Sequence, residues 1–165
     1  MATSKQDSQL RPGLWDTVNE RYPGSMITND NAIPLAKLNK PLSECRVCFV
    51  STSGVQPKTS LPFDTVHPIG DYTFRPVPSN SRVEDLEIHQ LKYPTFGAAE
   101  DLNVIFPIER LRDLVQEGQI GGLSENFFTF IGYNMDPVQL EKKLAEDIAN
   151  AVVQEAPDIV IAAPA

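Results

Sequence analysis

Basic charge, cysteine and long apolar runs are all scarce in this 165-residue sequence. Fourteen Lys and Arg stand against 22 Asp and Glu, for a net charge of −8. A nucleic-acid binder needs a cationic face for the phosphates, and no basic cluster is present. The same deficit argues against docking on anionic lipid. The apolar stretches fall far short of the roughly 20 residues that a membrane-spanning helix needs. The opening MATSKQDSQLRPG has no apolar core, so it does not read as a secretory signal. Two cysteines and no such signal lead us to expect a reducing, cytoplasmic setting.

The composition that is present is globular: 41% apolar and 22% charged. A chain of this length buries roughly 68–70% of its unfolded surface, enough for one real core. Charge is uneven along it. Residues 1–97 carry ten groups of each sign, whereas 98–165 carry four positive and twelve negative.

Proline punctuates the first half, with ten of the 14 prolines at or before Pro94, so long helices are expected later. Residues 1–44 read as a proline-rich arm with one short helix at 14–21, anchored by Trp15. Residues 46–52 (RVCFVST) form a buried strand closed by a small-residue loop. Residues 55–71 are expected to be one long loop, a feature that is often functional. Residues 72–77 alternate as a strand, with Pro76 marking an edge, and 85–91 form another candidate strand. A helical turn is expected at 97–103. Pro107 then starts a helix that Gly118 ends. Residues 127–133 (FFTFIGY) are β-prone. Asp136-Pro137 starts a helix with an apolar stripe of Leu140, Leu144, Ile148 and Val152. Residues 158–163 (DIVIAA) read as a strand buried on both faces. Strand, helix and strand in that order predict a parallel α/β sheet, with ligands beyond the carboxyl ends of the strands.

Five blocks then carry a resemblance: CFVSTSGV, PFD (62–64), DYTFRPVPS (71–79), EDLNVIFPIERLRDLVQEGQIGGL (100–123) and FTFIGY (128–133). Their ordered series resembles the glycine/sarcosine/betaine reductase selenoprotein B and D-proline reductase family over roughly 40–165. The expected fold is one Rossmann-like layered α/β domain at 45–165, with a mostly parallel sheet, behind the arm at 1–44. The resemblance implies a cytoplasmic oxidoreductase subunit that reductively cleaves a C–N bond in a small amine or imino acid such as glycine, sarcosine, betaine or proline. It also implies a selenocysteine (cysteine in some relatives) directly after the strand that DIVIAAPA forms. A partner subunit carrying a pyruvoyl group and a thioredoxin-type reductant are implied with it.

On that alignment the nucleophile follows Ala165. We therefore expect the chain to be truncated at a selenocysteine codon read as stop, and inactive alone; a natural stop or a chosen boundary is the alternative. Substrate would be bordered by Ser51, Thr52, Ser53, Gly54 and Val55, whose N–H and hydroxyl groups suit a carboxylate, and by Pro164. One block departs from the family, where S-H-x-H-Y-D is usual. Lys92 and Pro94 stand where a histidine and an aspartate are expected, and His89 is offset, so no role is carried onto it.

Other candidates rest on the residues themselves. Cys45 and Cys48 form a C-x-x-C, but one that enters a strand, where i and i+3 point to opposite faces. His67, in the long loop, is a candidate for acid–base work. With His89 it offers no metal spacing, and no metal is expected. Glu100 and Asp101 are either a catalytic pair or the acidic start of a helix. Phe127, Phe128, Phe130 and Tyr133 are either core or an aromatic cage. Two further classes stay open: a non-catalytic subunit that forms a complex, whether with another protein or as an oligomer, and a small thiol–disulfide protein using Cys45 and Cys48.

Overall fold

The computed structural model describes Thr17, Glu20, Arg21, Pro23, 36–90 and 94–165. They fall into two units, Met1–Lys37 and Leu38–Ala165. In the first, Thr17, Glu20 and Arg21 are helical. Trp15 and the rest of the helix expected at 14–21 lie outside the described residues, as do Leu91, Lys92 and Tyr93.

The second unit is built on a mostly parallel sheet. Its central strand β1 (Arg46–Ser51) lies between β7 (Ile159–Ala163) on one side and the short strands β5 (Gly122–Leu123) and β6 (Asn126–Thr129) on the other, all parallel to it. Strand β3 (Arg75–Pro78) adds antiparallel to β6. Its prolines, Pro76 and Pro78, fit this outermost place, because an edge strand needs only half its N–H groups. The two-stranded pair β2 (Val55–Pro57) and β4 (Leu86–Ile88) stands apart from the main sheet.

Alternation along the strands makes two cores. Phe49 of β1, Val77 of β3 and Phe127 of β6 face one layer with Phe106, Ile108 and Leu111. Ile108 and Leu111 belong to helix α2 (Ile108–Gln116), which follows the shorter helix α1 (Phe96–Glu100). Phe49, Phe106 and Phe127 meet edge to face, with centroids 5.6–6.1 Å apart. Cys48, Val50 and Phe128 face the opposite layer with Tyr72, Leu144 and Ile148.

That second layer is a helical rod of three parts: α3 (Pro137–Gln139), a π-helical turn (Leu140–Ala145) and α4 (Glu146–Glu155). Asp136 caps its start by accepting from the N–H groups of Val138 (2.9 Å) and Gln139 (3.2 Å). Ala156 ends it in a left-handed conformation at φ 47°. The π-turn has a geometric role. Leu140, Leu144, Ile148 and Val152 recur every four residues, a spacing that drifts about 40° per step on a 3.6-residue helix. One wider turn takes up part of that drift, so all four reach the same core.

Two expectations are corrected. Residues 55–71 are not one loop, because Val55–Pro57 pairs with Leu86–Ile88 and Thr129 Oγ1 donates to Val55 O. Nor is DIVIAA buried on both faces. Among the described residues β7 pairs only with β1, so it is outermost, and Val160 and Ile161 are 46% and 39% exposed. No helix among the described residues is long and apolar enough to cross a membrane.

Candidate functional site

The carboxyl ends of β1 and β7 open into one crevice, the position at which parallel α/β sheets bind ligands. Its floor is the loop from Ser51 to Val55. The loop is tied down by backbone bonds: Phe130 N–H donates to Ser51 O (3.0 Å) and Gly54 N–H to Phe130 O (3.0 Å). Ser51 Oγ is buried and accepts from Ser53 N–H at 3.1 Å. Two of the loop's N–H groups are therefore already engaged, which leaves less of the anion-binding cradle the sequence suggests. Thr52 Oγ1 accepts from Ala165 N–H at 2.8 Å, so the two strand ends share a hydroxyl. Pro164 is exposed beside it. Gly132 packs against Thr52; a β-carbon there would stand 3.2 Å from Thr52 Cβ.

The wall of the crevice comes from β4 and the two residues after it, His89 and Gln90. Gly54 sits at φ +62°, and a β-carbon on it would fall 2.0 Å from His89 O. Only glycine allows this approach. His89 N–H in turn donates to Gly54 O at 2.9 Å, and Gln90 Nε2 donates to Thr52 O. On one face of the β2–β4 pair, Gln56 lies opposite Glu87. Gln56 Nε2 donates to Glu87 Oε1 at 3.0 Å, and the same oxygen lies 2.9 Å from His89 Nε2. The bond to His89 is the main cause holding the Glu87 carboxyl below its usual range; Gln56 adds to it against some desolvation. Gln56 is fully buried, and its Oε1 has no hydrogen-bond partner; nor does the fully buried Ser53 Oγ.

His67 lies elsewhere. With Asp64, Asp71, Tyr72, Arg75 and Gln139 it lines a separate concavity of about 540 Å³. Its backbone N–H donates to Asp64 Oδ1 at 2.9 Å. The cation there is committed: Arg75 donates to Leu61 O (2.8 Å), Pro62 O (3.3 Å) and Thr73 Oγ1 (2.8 Å), and stacks on Phe63 at 4.2 Å. Buried Asp71 accepts from the N–H groups of Asp64 and Thr73, each at 2.8 Å. Arg75 and Asp71 together fold this loop.

Both cysteines are free and buried. Cys45 precedes β1 and its thiol lies 3.2 Å from Pro41 O. Cys48 faces the rod, and burial pushes its thiol up to about 11 despite a hydrogen bond with Ser124. Neither reaches the strand-end crevice, and a buried neutral thiol is a poor nucleophile. Asp101 caps the 3-10 turn Leu102–Val104 by accepting from Asn103 N–H at 2.9 Å, while Glu100 closes α1. Phe127 and Phe128 are core on opposite faces of β6, Phe130 packs with the second core, and Tyr133 Oη donates to Pro68 O at 3.3 Å.

Sequence reasoning missed Gln56 and Glu87. The available signal was the i, i+2 spacing of Glu87 and His89 in a strand, which puts both on one face.

The family profile described as glycine/sarcosine/betaine reductase selenoprotein B (GRDB) matches residues 19–165. The sequence is 28% identical over 124 residues to the D-proline reductase subunit gamma of Acetoanaerobium sticklandii, covering 75% of this chain and 50% of that protein. It is 27% identical over 128 residues to the glycine reductase complex component B subunit gamma of Peptoclostridium acidaminophilum, covering 76% of this chain and 29% of that protein. The match thus spans half or less of these relatives' own length. No solved structure matches.

Proposed function

The chain belongs to the glycine/sarcosine/betaine reductase selenoprotein B family, and we propose that it serves as a subunit of a complex that reductively cleaves the C–N bond of a small amine or imino acid. In the net reaction the C–N bond breaks, the carbon gains a hydrogen and the nitrogen leaves as ammonia or an amine. A dithiol of thioredoxin type supplies two electrons and two hydrogens and becomes a disulfide. The observation that carries this reading is the crevice at the carboxyl ends of β1 and β7, in a chain whose relatives are named as subunits of proline and glycine reductases.

The attacking selenol or thiol is delivered to that crevice by another segment or subunit, since Cys45 and Cys48 are buried away from it. A pyruvoyl-bearing partner fits the same reading, because a ketone-type carbonyl condenses with amine substrates. Ser51 to Val55 and Pro164 border the substrate.

The test is dithiol-dependent release of ammonia or amine from glycine, sarcosine, betaine or D-proline by the complex isolated from native cells. Depleting this chain should abolish release, and adding it back should restore it. Full activity after depletion would overturn the proposal. A second reading, a complex-forming role without chemistry, is favoured by the outer side of β7, where Val160 and Ile161 are exposed. Depletion would then dissociate the complex while leaving turnover per remaining catalytic subunit unchanged.

A further inference from the structure

The pairing of Gln56, Glu87 and His89 has no structural necessity. Glu87 and His89 are both partly exposed, and a solvated strand face needs no such pair. Three features set it apart. All three side chains meet at one atom, Glu87 Oε1, reached at 3.0 Å by Gln56 Nε2 and at 2.9 Å by His89 Nε2. The amide orientation of Gln56 follows, because a carboxylate only accepts, so the amide must present its NH₂ to it. That leaves Gln56 Oε1 fully buried and unsatisfied, a costly state that a ligand or water relieves.

The donor and acceptor inventory points to the kind of ligand. Ionised Glu87 offers acceptors only. Neutral His89 with its proton on Nε2, toward Glu87, leaves Nδ1 as an acceptor, and no partner within the described residues engages that atom. Gln56 Oε1 is a third acceptor. The other cation acting on Glu87 is Lys58, and its ammonium donates to Glu84 O at 2.7 Å. A cluster rich in acceptors, with a net negative charge and no committed cation, takes a cation that donates hydrogen bonds. The backbone bond from His89 to Gly54 fixes the cluster beside the strand-end loop.

We propose that Glu87, His89 and Gln56 cradle the protonated nitrogen of a primary or secondary amine at the rim of the strand-end crevice. The choice of an amine over other cationic donors rests on the preceding reductase reading; the surplus of acceptors does not. Glu87 and His89 bind the N–H groups, and Gln56 is a positioning residue that holds the carboxylate.

The experiment is nitrogen NMR of the histidine rings in the 165-residue chain. It contains only two histidines, so His67, in its separate concavity, is an internal control. The probes are glycine and methylammonium, with acetate and betaine as controls lacking N–H donors. The proton of neutral His89 is expected on Nε2. Glycine and methylammonium should move the His89 ring signals saturably and leave His67 unmoved. Glu87→Gln should weaken binding roughly tenfold or more, the loss of a charged hydrogen-bond partner. Gln56→Glu, which puts a second carboxylate against Glu87, should randomise the tautomer. His89 signals unmoved by either amine, or moved equally by acetate and betaine, would overturn the proposal. So would a proton found on Nδ1 in the unsubstituted chain, a result that depends on no variant folding. Failure of the reductase reading shows separately, as no turnover by the native complex while the isolated chain still binds amine.

Discussion

Thr52 and Ala165, 113 positions apart, are held together through one hydroxyl: the Ala165 N–H donates to Thr52 Oγ1 at 2.8 Å. The bond joins the carboxyl ends of two parallel strands, so it governs the spacing of the crevice mouth. Thr52→Val keeps the shape and deletes the acceptor. Stability should fall by about 1 kcal/mol, read as a lower urea midpoint with an unchanged slope. Thr52→Ser should recover most of it. Equal losses in both variants would show that the methyl group matters and the hydroxyl does not.

Gly54 and Gly118 separate two kinds of strain. Both have positive φ, +62° and +69°, but a β-carbon at Gly118 meets nothing within 4 Å, whereas one at Gly54 collides with His89 O. Gly118→Ala should therefore cost about 1–2 kcal/mol, the left-handed penalty alone. Gly54→Ala should cost at least about 2 kcal/mol more, with the collision added. It should also expose the amides of β2 and β4 to hydrogen exchange. Matching losses from thermal unfolding would refute the contact.

Cys48 should be nearly inert in the folded chain. Burial lifts its thiol from 9.0 to about 11, which lowers the thiolate fraction at neutral pH roughly a hundredfold. Alkylation by iodoacetamide, followed by mass spectrometry, should mark it quickly only in denaturant. Rapid labelling of Cys48 in the native chain would return the thiol–disulfide reading to contention.

Asp136 should make helix stability depend on acid. Its carboxyl is held below the usual range first by the Gln139 side chain, then by the N–H groups of Gln139 and Val138. A folded-state value below the unfolded one stabilises fully above the unfolded value, and that contribution fades as pH falls through the folded one. Asp136→Asn keeps an acceptor but does not titrate. The stability gap between the two proteins should therefore narrow below about pH 4. A gap independent of pH would mean the ionised cap contributes nothing.

Much of the fold could be read in advance where the cause is local. Asp136-Pro137 and the four-residue stripe marked the rod, and Pro76 marked an edge strand, because capping and proline stereochemistry act within a few residues. The family was legible from its ordered blocks, most of them loops and strand ends. What escaped depends on distant partners. Val55–Pro57 is too short to announce a strand, and it exists because Leu86–Ile88 lies against it. DIVIAA has the composition of a central strand, but its exposure is set by strand order, which no single segment encodes. The Ser51–Val55 loop was found because strand ends bind ligands as a rule. Gln56 and Glu87 were missed because they meet only across two separated strands.

The π-turn at Leu140–Ala145 makes the rod sensitive to residue count. Removing one residue within the turn would let it relax to an ordinary α-helix. Everything beyond would then rotate by about 100°, carrying Ile148 and Val152 away from Phe128 and Val50. Glu155 would turn with them and lose the N–H groups of Glu125 and Asn126 that it now accepts from. Substitutions along the rod's outer face are tolerable, but a change of length is not. The extra residue acts as a phase adjustment between two otherwise regular helical segments, setting the angle at which the rod delivers the chain into β7.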